Sequence, residues 1–133
     1  MATLIDQDFF ARLHALNDKF AASIPATLER LELARQRFAP EAPQPELVKE
    51  MHQILHTIAG SAATFGFRVF GVQARQLEQR LRVLMAFDVI APKDWNDWLA
   101  ALDEYIGWSR IDPKAADYVG EGSAADKEGP SAC

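Results

Sequence analysis

Residues 48–70 read VKEMHQILHTIAGSAATFGFRVF. Val48, Met51, Leu55, Ile58, Ala62 and Phe65 recur at alternating three and four, the interval at which one face of an α-helix returns to a core. Gly66 then ends or bends the helix, because glycine alone turns into the left-handed conformation without a side-chain clash. Pro45 marks the start, since a proline in a first turn gives up no helical hydrogen bond. Just before it, Ala39-Pro40-Glu41-Ala42-Pro43-Gln44-Pro45 carries three prolines, which exclude continuous helix and predict a short stiff connection.

The same periodicity extends in both directions. Phe70, Ala74, Leu77, Leu81 and Leu84 predict a helix from about Phe67 to Phe87 with the seam of an antiparallel bundle. A last helix should open at Pro92 and bury Trp95, Trp98, Leu99, Leu102, Tyr105 and Ile106. Upstream, Phe9, Leu13, Leu16 and Phe20 form a stripe that resumes as Ile24, Leu28, Leu31 and Phe38. Pro25 interrupts it and predicts either one kinked helix or two helices meeting near Ile24. No segment alternates at period two, so the fold class is all-α. Beyond Arg110 large apolar residues give way to Gly, Ala, Ser and acid, and we expect a helical unit over 1–110 followed by a disordered tail over 111–133.

The chain has 133 residues, which suits one domain able to bury roughly two-thirds of its unfolded surface. Its 14 Lys+Arg against 19 Asp+Glu give a net charge of −5. That balance lacks the basic footprint of a nucleic-acid binder and points to a protein partner. Cys133 is the single cysteine, which fits a reducing compartment and offers no structural zinc site. The N-terminus MATLIDQDFF has neither the basic nor the apolar region of a signal peptide, and no apolar run approaches the ~20 residues that span a bilayer. We therefore expect a cytoplasmic protein, and the starting Met with the polar tail suggests a stand-alone one. Neither a phosphate-binding GxxxxGK[ST] loop nor a GxSxG elbow is present, so nucleotide-dependent and hydrolytic chemistry have no support.

The chemistry-bearing segment is His52-Gln53-Ile54-Leu55-His56-Thr57-Ile58-Ala59-Gly60-Ser61-Ala62-Ala63. With Met51, Leu55, Ile58 and Ala62 facing the core, His52, His56, Ala59, Gly60 and Ala63 share another side of the helix. His56 then lies near solvent beside almost bare backbone. A glycine inside a helix costs about 1 kcal/mol relative to alanine, so Gly60 calls for a reason, and close approach of a partner is one. A neutral imidazole at such a place is a nucleophile suited to phosphorus. Glu78, on the following antiparallel helix and just off the Leu77 and Leu81 stripe, could take the Nδ1 proton and aim Nε2 outward. The plainer readings are a partly buried histidine bonded inside the bundle and a solvated Glu78 paired with Arg75 or Arg82. His52 and His56 also have metal-ligand spacing, yet Gln53 stands where a zincin needs glutamate and no third ligand is evident, so His52 reads as a surface histidine beside a docking face.

The pattern His56, Ile58, Gly60, Ala62, Thr64, Phe65, Gly66, Phe67, followed by a helix carrying Leu77-Glu78, resembles the histidine-containing phosphotransfer (HPt) domain family, in particular the phosphotransfer domain of chemotaxis-type histidine kinases. The resemblance covers Phe9 to about Arg110. It implies an antiparallel four-helix bundle, here with an N-terminal helical extension, acting as a monomeric phosphocarrier without kinase activity of its own. His56 would accept a phosphoryl group and exchange it with an aspartate of a response-regulator receiver domain, Glu78 would orient the ring, and the receiver would supply Mg2+; the carrier itself needs no cofactor. Hybrid histidine kinases are the other implied partners.

One departure stands out. Three residues after the histidine many relatives carry a lysine that neutralises the transferring group, and this chain has Ala59. Arg75 or Arg68 is the expected replacement, and His52, Ala59, Gly60, Ala63 and Arg68 form the expected docking surface. The alternative function is a phosphorylation-independent module that docks on a receiver or kinase.

Overall fold

The computed structural model describes residues 2–118, with side chains from Gln7 onward. Its elements in chain order are α1 (Ala2–Arg37), α2 (Pro45–Ser61) continued by a 3-10 turn over Ala62–Phe65, α3 (Arg68–Met85) and α4 (Pro92–Ile111). The four helices pack as an antiparallel bundle. Among the described residues no helix is long and apolar enough to cross a membrane.

Of the two possibilities for Pro25, the single helix is the one formed. Pro25 cannot donate to the preceding turn, and nearby hydroxyls serve the carbonyls around the gap: Ser23 Oγ donates to Phe20 O at 2.6 Å and Thr27 Oγ1 to Ser23 O at 3.0 Å. The C-terminal half of α1 buries Ile24, Leu28, Leu31, Ala34 and Phe38. Phe20 packs against the bundle, its ring 5.1 Å from that of Phe65 and 5.2 Å from that of Phe67. Upstream of it Phe9, Phe10 and Leu16 stay exposed, because α1 is about twice as long as its partners. That half is the expected helical extension.

The proline-rich connection is closed by one side chain. Gln44 accepts the Ala39 N–H at Oε1, 3.1 Å, and donates from Nε2 to Arg37 O at 3.0 Å, which satisfies the end of α1 while Pro45 opens α2. Gly66, at φ +87°, ends the 3-10 turn as expected, and the Phe67 N–H returns to Ala62 O at 2.9 Å. The next helix can then lie close against α2. A Cβ on Gly71 would stand 3.0 Å from Ala62 Cβ, so this glycine sets the separation of α2 and α3.

Two large aromatic residues of α4 lock the second half. Trp98 Nε1 donates to Leu77 O at 3.0 Å and Tyr105 Oη to Phe70 O at 2.9 Å, so each polar tip is satisfied while the ring fills the core. Both bonds keep one antiparallel register between α3 and α4. Bidentate pairs of Arg35 with Asp103 and Arg110 with Glu32 tie α1 to α4 at the surface.

The expected boundary at Arg110 needs correction. Helix α4 runs to Ile111, and Asp112 turns the chain back by accepting the Lys114 N–H at Oδ1. Trp108 Nε1 then donates to Asp117 O at 3.0 Å, and Tyr118 meets the Trp108 ring edge-on at 5.2 Å. Composition underrated this segment because a buried indole N–H needs an acceptor and the turn supplies one. Residues 119–133, the rest of the expected tail, lie outside the described residues.

Candidate functional site

The site lies where α2 and α3 run side by side. Gly71 against Ala62 brings the helices together, and counting back along α2 and forward along α3 by two turns sets His56 opposite Glu78. His56 Nδ1 lies 2.8 Å from Glu78 Oε2. A carboxylate can only accept, so Nδ1 carries the proton and Nε2 is the nitrogen left for chemistry. The His56 side chain is 61% exposed and that of Glu78 only 7%. The plainer reading of Glu78 as a solvated partner of Arg75 or Arg82 thus gives way to a buried contact with imidazole.

Gly60 is exposed one turn onward, and a Cβ there would meet nothing within 4 Å. No packing need within the described chain explains the glycine; its effect is a bare surface beside the ring. Ala63 is exposed on the same side. Ala59 is not: it is 8% exposed and belongs to the core, which corrects its place on the docking surface. Helix α2 is packed by both α1 and α3, so its buried face widens to take in Leu47, Ile54 and Ala59 beside the stripe read from the sequence.

Arg75 stands one turn before Glu78 on α3, and Arg68 opens that helix. Both are exposed and, among the described residues, neither makes a hydrogen bond or ion pair. They leave a basic flank on α3 without touching the ring of His56.

His52 differs most from expectation. Its side chain is 23% exposed, and Nε2 lies 3.2 Å from the same Glu78 oxygen, within ion-pair range but off the line of a hydrogen bond. The sequence showed the spacing of four from His56 but not the shared carboxylate, because that depends on the register of α3. Among the described residues no group of three or more His, Cys, Asp or Glu is arranged to hold a metal ion. Here the Glu78 oxygen itself occupies the point on which the two imidazoles converge.

Comparison with known proteins agrees with this geometry. The sequence model of the Hpt domain matches residues 15–106, from the middle of α1 through Ile106 of α4, and takes in every site residue named above. No curated protein and no solved structure gives a significant match. With an exposed histidine backed by a buried carboxylate in a four-helix bundle, and with that match over most of its length, the chain belongs to the Hpt domain family, whose members carry out histidine phosphotransfer in phosphorelay signalling.

Proposed function

We propose that the protein is a phosphocarrier that accepts a phosphoryl group on His56 and exchanges it with the aspartate of a receiver domain. The observation that carries this is the 2.8 Å contact of Nδ1 with a buried Glu78 beneath an exposed ring. The Nε2 lone pair attacks phosphorus while the bond from phosphorus to the aspartate oxygen breaks, and the carboxylate leaves with its electron pair. Nδ1 keeps its proton, so the phosphorylated ring is cationic and Glu78 faces the new charge. The reverse step returns the group. Mg2+ belongs to the receiver in this scheme, and Gly60 with Ala63 gives that partner room to approach.

The transferring group also needs positive charge, and Ala59 offers none. Arg75 and Arg68 are the proposed sources, their side chains being free to turn toward a docked partner. The same alanine favours the second reading, a module that docks on a receiver or kinase without transfer.

Incubation with a panel of aspartate-phosphorylated receivers, with His56→Gln as control, separates the two. Acid-labile, base-stable label on the wild type and none on the variant supports transfer. Binding without label from any receiver supports docking alone.

A further inference from the structure

The buried carboxylate has two imidazole neighbours, and the proposed transfer uses only one. His52 sits one helical turn before His56, their rings nearly parallel at 12° with centroids 6.1 Å apart. Its Nε2 is closed off from solvent, lies 3.2 Å from Glu78 Oε2 and has no other partner among the described residues.

Chemistry limits what that nitrogen can be. A lone pair aimed at a carboxylate oxygen across 3.2 Å would be repelled, so Nε2 carries a proton. A small rotation of either group then converts the contact into a charge-assisted hydrogen bond. Glu78 needs this second donor, because a carboxylate removed from water is costly unless its lone pairs are served. Held from one side only, it is free to swing away, and His56 then loses the acceptor that selects which nitrogen keeps the proton.

Resting on the reading of His56 as phosphoacceptor, we propose that His52 is a positioning residue: acting through Glu78, it holds His56 in the tautomer protonated at Nδ1 and so keeps the Nε2 lone pair directed at solvent. His52 touches neither phosphorus nor partner in this role. Its whole effect passes through Oε2.

The test uses the full chain as wild type, His52→Leu and His52→Gln, the glutamine amide being able to donate to the same oxygen. Long-range proton–nitrogen NMR of the His56 ring reads the tautomer, and label transfer from phosphorylated receivers reads the rate. We expect one dominant tautomer in the wild type and both tautomers in His52→Leu, with transfer about tenfold slower. His52→Gln should return both readouts to within about twofold of wild type. Thermal unfolding checks each variant, and His52→Ala stands in if the leucine variant does not unfold cooperatively. An unchanged tautomer in His52→Leu, or a change that glutamine does not rescue, overturns the proposal. Absence of label on every chain, wild type included, overturns the phosphoacceptor reading instead, and the NMR arm still decides the role of His52.

Discussion

Glu78 Oε2 lies 2.8 Å from His56 Nδ1 while Gly71, two turns earlier on the same helix, rests against Ala62. The hydrogen bond depends on how closely α3 approaches α2, and the glycine sets that approach. An effect on chemistry can therefore be produced from a residue that touches no reacting atom.

Gly71→Leu should show it. The added side chain has no room beside Ala62, and overpacking of this kind costs about 1–3 kcal/mol. Chemical denaturation should record that loss, and the His56 ring nitrogens should report a weakened bond to Glu78 by NMR. Unchanged stability would mean that the helices part more easily than the contact suggests.

Gly60 predicts the opposite sign. Its Cβ would meet nothing, so Gly60→Ala should stabilise the fold by about 0.5–1 kcal/mol through helix propensity alone. Gly60→Trp should leave the fold intact and slow transfer from a receiver at least tenfold by blocking its approach, a loss of about 1.4 kcal/mol in transition-state stabilisation. Thermal unfolding and label transfer measured together separate the two effects.

Replacing Glu78 should cost both stability and function. Glu78→Met takes the acceptor from the buried His52 Nε2–H as well as from His56, so stability should fall by about 1–3 kcal/mol. Transfer through His56 should fall about 10- to 100-fold, because the tautomer is no longer selected and the cationic phosphorylated ring has lost its counter-charge. A variant that transfers at the wild-type rate would remove Glu78 from the proposed mechanism.

Tyr118 makes the C-terminal turn sensitive to alkali. Burial against Trp108, with Glu104 nearby, raises its phenol to about 12 from the usual 10. The folded chain therefore holds the proton more tightly than the unfolded chain, and stability that is complete below pH 10 is lost as the pH rises toward 12. Ultraviolet titration should find tyrosinate appearing late, and Tyr118→Phe should flatten the fall in melting temperature over that range.

Much of the bundle was legible from spacing. The stripes of α2, α3 and α4, the stop at Gly66 and the start at Pro45 follow from the period of a helix and the conformations open to glycine and proline, which are local properties. His56 was legible for the same reason, since a residue off the apolar stripe and next to Gly60 faces outward. Ala59 was misplaced because one stripe was assigned to a helix that two neighbours cover. The turn over 112–118 was missed because composition does not record that Trp108 needs an acceptor.

By itself, then, the sequence determined that the chain is helical, where the proline-rich connection and Gly66 break it, and that His56 reaches solvent, because each depends on residues a few positions apart. The tertiary structure alone decided that Glu78 is buried, that its Oε2 lies between His52 and His56, and that Gly71 rests against Ala62. Those facts depend on the distance and register between two helices. That register is set by shape at Ala62 and Gly71 and by the α4 aromatic side chains bonded to Leu77 and Phe70.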